Sequence, residues 1–193
     1  MMDKEHRLFA HAKKFSPLTE EDWQASFPFF ETLSFRKKEH LAQGGSPNHK
    51  IYFVTSGCLQ QYFIDNRGIS RTVQFAIEHW WIGDFLTFQQ GQNSDFYIQA
   101  VENTEVCGIS GENYGQLLEK FPVWEVYFRQ IYQIAYGAAL NRVKYLYGFS
   151  KEEIYFHFIE QFPEFAQRVP QYLIASFLGL TPEYVSEIRK NRY

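Results

Sequence analysis

The sequence has little of the chemistry that marks metalloproteins, secreted domains and membrane proteins. It contains 2 cysteines, Cys58 and Cys107, with no CxxC pair and no clustered histidines beside them. A disulfide scaffold needs more cysteines and a zinc site needs clustered ligands, so we expect two reduced core thiols and no metal site. No apolar run approaches the roughly 18 residues that a membrane helix requires. The charged N-terminus has no apolar signal segment, which predicts a cytoplasmic protein with no membrane partner.

An excess of positive charge is also missing. The 193 residues include 19 Lys and Arg against 22 Asp and Glu, which gives a net charge of −3. This balance excludes a basic nucleic-acid coat and a polybasic membrane anchor. Any contact with nucleic acid must therefore come from a local patch.

Catalytic motifs are absent as well. The sequence has no GxSxG nucleophile motif and no phosphate-binding loop. The segment Glu78-His79-Trp80-Trp81 offers one histidine, whereas a cupin metal site needs paired histidines and a glutamate on neighbouring strands. We therefore expect that the protein is not an enzyme.

Three patterns follow one another along the chain. Up to about Phe30 the pattern is helical, with Thr19 placed to cap a helix. Between Leu33 and Ser110, short strands alternate with turns, as in the segment Leu59–Ile64 before Asp65-Asn66-Arg67-Gly68. From Glu112 the pattern is helical again. These patterns predict an α+β fold with an N-terminal antiparallel β-barrel of the jelly-roll type, a long helix and a helical C-terminal domain.

The long helical segment carries an apolar seam at alternating spacings of four and three residues. Its members are Trp124, Phe128, Ile131, Ala135, Ala138, Arg142 and Tyr145. The seam predicts a helix over residues 112–148 that forms a homodimer, and Gly137-Ala138-Ala139 is small enough for two helices to approach closely. Alternatively, the stripe packs on the protein's own core. Two buried faces, one on the barrel and one on a second copy, would reconcile these interpretations.

The most specific pattern lies near the C-terminus, after a capping box at Ser150-Lys151-Glu152-Glu153. Ala175 is small where a second helix would cross it, and Gly179 lies where a tight turn needs a positive φ. Apolar residues are spaced to fill the wedge between two helices, namely Ile174, Leu178, Leu180, Val185 and Ile188. We interpret residues 149–193 as a helix-turn-helix domain that binds double-stranded DNA. A plain helical hairpin in a core is the alternative.

The second helix of this motif would contact DNA with its polar face. The predicted DNA-binding residues are Thr181, Pro182, Glu183, Tyr184, Ser186, Glu187, Arg189 and Lys190. Glu183 could accept a hydrogen bond from a cytosine amine, and Thr181 and Ser186 could meet a base or a phosphate. Arg189, Lys190 and Arg192 concentrate positive charge in the last turn. Glu187 would be repelled by DNA unless it also accepts from an amine.

A β-barrel, a long heptad helix and a C-terminal helix-turn-helix together resemble the Crp/Fnr family of bacterial transcription regulators over nearly the whole chain. Ile51–Gly57 looks like the family's barrel strand that ends in glycine, and Gly83-Asp84-Phe85 through Ala100 looks like its phosphate-binding cassette. The resemblance implies three parts: a cyclic-nucleotide-binding-like barrel with N-terminal helices over residues 1–111, a dimerisation helix over 112–148 and a DNA-binding domain over 149–193. It also implies RNA polymerase and a small-molecule effector as further partners.

The sequence departs from the family pattern in the cassette. Members that bind cyclic AMP carry an Arg for the phosphate, followed by Ser or Thr and then Ala, whereas this chain has Ser94-Asp95-Phe96. An anionic phosphate would lose its charge-assisted partner, and Asp95 would repel it. Phe96 would occupy space beside the ribose, and Asp84 stands where the family has a longer Glu. We therefore expect no cofactor and no response to cyclic AMP through the usual contact.

Two further departures concern DNA recognition. Pro182 and Glu187 stand where well-known members carry guanine-reading Arg residues, so the operator should differ from theirs. The family's β-wing would follow the recognition helix, and the sequence stops at Tyr193, so we expect a DNA-binding domain without a β-wing. The predicted function is a homodimeric Crp/Fnr-type transcription regulator. The alternative is a ligand-sensing or protein-interaction module whose helix-turn-helix no longer binds DNA.

Overall fold

The computed structural model describes residues 4–191, so the positive charge at Arg192 lies outside the described residues. The chain divides into two compact units. The first comprises the chain up to Phe63 together with Val73–Tyr132, and the second comprises Ile64–Thr72 and the chain from Gln133 onward.

The first unit begins with two short helices, α1 (Lys4–Ala12) and α2 (Glu20–Ser26), and a 3₁₀ turn at Phe27–Phe29. The predicted cap at Thr19 is confirmed. Its hydroxyl accepts the Asp22 amide, and the Asp22 carboxylate accepts the Thr19 amide in return. This exchange satisfies amides that have no partner within the first turn of a helix.

Ten strands follow, and they form three separate sheets. They are β1 (Glu31–Phe35), β2 (His40–Ala42), β3 (Ser46–Pro47), β4 (Lys50–Ser56), β5 (Leu59–Ile64), β6 (Ser70–Ala76), β7 (Trp81–Ile82), β8 (Asn93–Ser94), β9 (Tyr97–Ala100) and β10 (Thr104–Ser110). The four-stranded sheets have the orders β1-β10-β4-β7 and β2-β9-β5-β6, and β3 pairs with β8.

The β-region is thus jelly-roll-like, but its sheets do not close into the predicted barrel. Each four-stranded sheet keeps two edges, β1 and β7 in one and β2 and β6 in the other. A closed barrel requires every strand to pair with a neighbour on both sides. Strand β7, with only Trp81 and Ile82, is too short to do so. The mixed fold with an antiparallel β-region before a helical region is otherwise as expected.

Aromatic side chains dominate the core of the first unit. Helix α3 (Gly111–Lys120) is followed by α4 (Val123–Gly148), and α4 buries Trp124, Tyr127 and Phe128 against this core. The Trp124 indole donates to the Ser26 hydroxyl at 2.9 Å, and the Trp81 indole donates to the Tyr127 hydroxyl at 2.8 Å. These indole groups therefore keep a hydrogen-bond partner when buried. Cys58 and Cys107 are both fully buried in the core, as expected.

The second unit contains the C-terminal part of α4 and four shorter helices. These are α5 (Lys151–Gln161), α6 (Pro163–Arg168), α7 (Gln171–Phe177) and α8 (Pro182–Asn191). The predicted capping box at the start of α5 is present, since the Ser150 hydroxyl accepts the Glu153 amide and the Glu153 carboxylate accepts the Ser150 amide. None of the helices in residues 4–191 is long and apolar enough to cross a membrane.

Candidate functional site

The segment from α7 to α8 consists of two helices joined by a tight turn. Gly179 has φ +71°, a left-handed conformation that costs glycine little. The Leu180 amide donates to the Ala175 carbonyl at 2.8 Å, and the Leu178 amide donates to the Ile174 carbonyl at 3.0 Å. These bonds satisfy carbonyls at the end of α7 and reverse the chain direction within three residues.

The apolar residues of this segment pack between the two helices as the spacing predicts. Ala175 and Val185 are fully buried, which matches the requirement for a small residue under the second helix. The remaining wedge residues, Ile174, Leu178, Leu180 and Ile188, are also buried. Burial of this face leaves the opposite face of α8 for polar side chains.

The polar face of α8 is exposed. Exposed residues among those predicted to contact DNA are Thr181, Pro182, Glu183, Ser186, Glu187, Arg189 and Lys190, and Tyr184 is half-buried. The Thr181 hydroxyl accepts the Tyr184 amide at 3.2 Å and so caps α8. The Ser186 hydroxyl donates to the Pro182 carbonyl at 2.9 Å. Both hydroxyls therefore have partners on the helix itself, which limits how they could meet a base.

The basic end of α8 is partly engaged by its neighbours. The Arg189 guanidinium donates to the Gln171 side-chain oxygen at 3.0 Å, at the start of α7. The Lys151 ammonium lies 5.9 Å from the centre of the Tyr184 ring. Arg189 therefore braces α7 against α8, and Lys190 extends as an exposed cation near the end of the helix.

The segment that resembles a phosphate-binding cassette is held by contacts among its own residues and with neighbouring strands. Gly83 is packed so tightly against Ile51 that a Cβ would lie 2.6 Å from the Ile51 Cγ2 atom. One oxygen of the Asp84 carboxylate accepts the Leu86 amide at 3.2 Å, and the other accepts the Ser94 hydroxyl at 2.8 Å. The Asp84 carbonyl accepts the Asn48 side-chain amide at 3.4 Å. The carboxylate that the resemblance assigns to a ribose is thus already hydrogen-bonded.

Ser94, at the position where the resemblance leads one to expect a phosphate-binding Arg, is 2% exposed. Its hydroxyl donates to Asp84 and accepts the Phe96 amide at 3.1 Å. Asp95 is exposed, and Phe96 is half-buried with its ring 6.4 Å from Phe63 in an edge-on arrangement. Phe85 lies edge-on to Tyr132 at 5.3 Å. The structure therefore brings Asp84 and Ser94 together, and both of their side chains hydrogen-bond within the protein.

The predicted dimer seam on α4 is divided between two environments. Trp124 and Phe128 are buried within the first unit, and Ile131 is half-buried there. Ala135 and Ala138 are exposed, whereas Arg142 and Tyr145 are half-buried against residues of the second unit. The sequence pattern did not distinguish between these environments because both bury apolar surface at helical spacing.

A different stripe of α4 is exposed. Large apolar side chains with 47 to 89% exposure recur at spacings of four, three and four residues, namely Tyr136, Leu140, Val143 and Tyr147. This stripe, called here the α4 stripe, was missed at the sequence level because almost every face of α4 carries apolar residues. The sequence reasoning also missed Ser176, whose only signal was a hydroxyl residue within the apolar run Tyr172–Leu180.

Comparison with known proteins finds a domain family to which the β-region is similar. Residues 32–121 match the family model of the cyclic nucleotide-binding domain. No curated protein matches the sequence.

Solved structures of bacterial proteins share the fold. FixK2 from Bradyrhizobium japonicum superposes with a TM-score of 0.69 at 19% identity, covering 84% of this chain and 83% of that one. A CooA mutant from Carboxydothermus hydrogenoformans has a TM-score of 0.67 at 17% identity, covering 86% and 78%. The c-di-GMP-responsive global regulator CLP from Xanthomonas campestris has a TM-score of 0.68 at 15% identity, covering 90% and 91%. Residues 32–121 are thus similar to a cyclic nucleotide-binding domain, and the chain as a whole shares its fold with these three bacterial proteins.

Proposed function

We propose that this protein is a DNA-binding transcription regulator of the Crp/Fnr type. The observation that carries the proposal is the arrangement of α7 and α8. Their apolar faces are buried against each other across the Gly179 turn, and the polar face of α8 is left exposed. A helix presented in this way can enter the major groove, which is wide enough to admit one.

Fluorescence anisotropy with a library of random-sequence duplexes tests this function. The wild-type chain should bind saturably at low salt and more weakly as salt increases. Lys190→Ala should weaken binding to all sequences and reduce the salt slope by about one, because it removes one phosphate contact. Glu183→Ala should instead change which base is preferred.

Arg189→Ala is expected to weaken binding to every sequence, and it should also loosen the pairing of α7 with α8 through loss of the Gln171 contact. An equal loss on every duplex for Lys190→Ala, Arg189→Ala and Glu183→Ala would contradict these roles. Binding by none of the proteins, wild type included, would contradict DNA reading as such.

The proposed regulator is a homodimer that uses the α4 stripe. Four large apolar side chains in the heptad spacing form the seam of a parallel or antiparallel helix pair. An exposed apolar surface of this length is unfavourable in water, and a second copy of α4 supplies a matching surface through two-fold symmetry. Two symmetric readers would then require an operator with two half-sites.

The effector of this regulator is not a cyclic nucleotide held through an Arg–phosphate contact. The hydrogen bond between Ser94 and Asp84 occupies the groups that would face the phosphate and the ribose. A cyclic phosphate would have to break that bond and approach the Asp84 carboxylate, an unfavourable like-charge contact. Isothermal titration with cyclic AMP and cyclic GMP should therefore show no micromolar binding. Micromolar affinity for either would contradict this proposal.

The second candidate function is a protein-interaction module that no longer binds DNA. Glu183 and Glu187 on the exposed face of α8 favour it, since two carboxylates there oppose the phosphate backbone. The anisotropy measurement separates the two functions, because this candidate binds no duplex at low salt.

A further inference from the structure

A serine fixes the C-terminal end of α7, the first of the two helices proposed to bind DNA. Ser176 lies in the last turn of α7, one residue before the helix ends. Its hydroxyl donates to the Ser70 carbonyl at 3.1 Å and accepts the Thr72 amide at 3.0 Å. Both partners are backbone groups at the start of β6, within the same compact unit as α7. One side chain therefore bridges two alternate residues of one strand.

The bridged groups lie on an edge of the sheet. Strand β6 is the last strand in the order β2-β9-β5-β6. Alternate residues of an edge strand direct their carbonyl and amide groups outward, where a further strand would normally pair. The Ser176 hydroxyl hydrogen-bonds to one such carbonyl and one such amide, as a neighbouring strand would. Because it must reach both groups at once, the contact fixes the position of α7 along β6.

The turn before this contact is rigid. One oxygen of the Asp65 carboxylate accepts the amides of Arg67 and Ile69 at 2.9 and 3.0 Å, and the other accepts from the Arg71 guanidinium at 2.9 Å. These bonds, the one from the Ile69 amide foremost, lower the pKa of Asp65. Gly68 supplies the left-handed conformation that the turn needs, with φ +77°. Ser176 thus contacts a strand whose preceding turn is already ordered.

An arginine on α4 provides a second contact with the same end of α7. The Arg142 guanidinium donates to the Phe177 carbonyl at 2.7 Å and lies 4.3 Å from the centre of the Phe177 ring. The Phe177 carbonyl is among the last carbonyls of α7, which have no partner within the helix. A cation there satisfies the carbonyl and stacks on the ring at the same time.

We propose that Ser176 and Arg142 are positioning residues for DNA reading. They fix the end of α7, and the bond from Leu180 to Ala175 across the Gly179 turn transmits that position to α8. This inference rests on the proposed function. If α7 and α8 are fixed in position before binding, they lose less conformational freedom when they contact DNA. The arrangement fixed by Ser176 and Arg142 is then the one that binds DNA.

The test compares Ser176→Ala with Ser176→Thr, which keeps the hydroxyl. Amide hydrogen exchange at Thr72 reports the contact directly, and fluorescence anisotropy with random-sequence duplexes over a salt series reports DNA binding. Ser176→Ala should accelerate exchange at Thr72 and weaken DNA binding about tenfold, which corresponds to the loss of two ordinary hydrogen bonds. Ser176→Thr should restore both.

The salt dependence distinguishes positioning from direct contact. Ser176→Ala should leave the slope of affinity against salt unchanged, because no phosphate contact is lost, whereas Lys190→Ala should reduce it. Arg142→Lys should behave like Ser176→Ala, since lysine keeps the charge but loses the planar fork that meets both the carbonyl and the ring.

Three outcomes overturn the inference. Faster exchange at Thr72 with unchanged or stronger DNA binding would show that the held arrangement is not the reading one. A changed salt slope for Ser176→Ala would make the serine a DNA contact. Absence of binding by the wild-type protein would contradict the proposed function, and the positioning role would fall with it. In the first two cases the proposed function stands.

Discussion

At the scale of single residues, the hydrogen bond between Ser94 and Asp84 determines what the cassette can do. Ser94 is almost fully buried, and its hydroxyl donates to the half-buried Asp84 carboxylate at 2.8 Å. An arginine at this position would instead present a guanidinium to an incoming phosphate. We therefore expect no anion to bind at Ser94, because its short hydroxyl is already used in an internal hydrogen bond.

Ser94→Ala should lower the free energy of unfolding by about 1–2 kcal/mol, because it removes a buried donor from Asp84. Ser46 pairs with Ser94 across β3 and β8 but is exposed, so Ser46→Ala should change the stability little. Urea unfolding of the two variants measures the difference. Equal effects would mean that the bond to Asp84 contributes nothing.

A second residue-scale feature is a histidine in the last turn of α1. The Nδ1 atom of His11 lies 2.8 Å from the Tyr127 hydroxyl, and the His11 ring stacks on His79 at 5.9 Å. Burial, then His79 and then Lys14, lower the pKa of His11 from 6.5 to about 4. Above pH 6.5 both folded and unfolded chains are neutral here. Between 6.5 and about 4 the unfolded chain binds the proton preferentially, so stability falls as the pH falls.

The free energy of unfolding should therefore decrease by about 1–2 kcal/mol between pH 7 and pH 4.5 on account of His11, a value reduced because the half-buried ring is partly reached by water. His11→Gln should flatten part of this decrease. His79, whose pKa is also lowered by burial and by Lys14 and Arg7, should leave a remainder. His6→Gln, on an exposed position of the same helix, is the control and should retain the full decrease.

At the scale of elements, α4 shows how one helix can meet several demands. Its first turns bury aromatic side chains in the first unit, and its later turns carry Arg142 toward α7 and the α4 stripe toward solvent. An α-helix has 3.6 residues per turn, so successive residues point in quite different directions around the helix axis. Apolar residues occur on nearly every face of α4, so its composition does not indicate which face is buried in the first unit and which carries the α4 stripe.

Substitution of Gly137 tests whether a second copy of α4 contacts this helix at its glycine and alanine residues. Apart from the neighbouring residues and backbone of its own helix, a Cβ at this position would meet no described atom within 4 Å, and the same is true of Gly115 in α3. Replacing a helical glycine by alanine stabilises a helix by about 0.5–1 kcal/mol. Both Gly137→Ala and Gly115→Ala should therefore raise the unfolding midpoint. If Gly137→Ala instead weakened self-association, the helices would cross at Gly137 and not along the α4 stripe.

At the scale of the whole molecule, the proposed dimer depends on one side of α4. Leu140 lies in the α4 stripe with 51% exposure, and Ile134 lies on the opposite side of the helix with 53% exposure. The two residues thus form a matched pair. Leu140→Glu should dissociate the dimer in sedimentation velocity, because a charge in an apolar seam loses its water. Ile134→Glu should leave the sedimentation unchanged, and dissociation by both or by neither would argue against the α4 stripe.

Interactions between residues close together in the chain explain the features that could be predicted from the sequence. The caps at Thr19, Ser150 and Thr181, the β5–β6 turn and the Gly179 turn all follow from short-range hydrogen bonding and backbone sterics. The order of a strand-rich region before a helical one followed from the period of the apolar residues, which is also a local quantity.

The arrangement of groups that are far apart in the chain could not be predicted and is seen only in the folded structure. It left the sheets open where a barrel was expected, satisfied Asp84 with Ser94, and separated the buried side of α4 from the α4 stripe. It also placed the Ser176 hydroxyl on the edge of β6, more than a hundred positions away in the chain. These contacts depend on which surfaces meet after folding, and spacing along the chain carries no information about that choice.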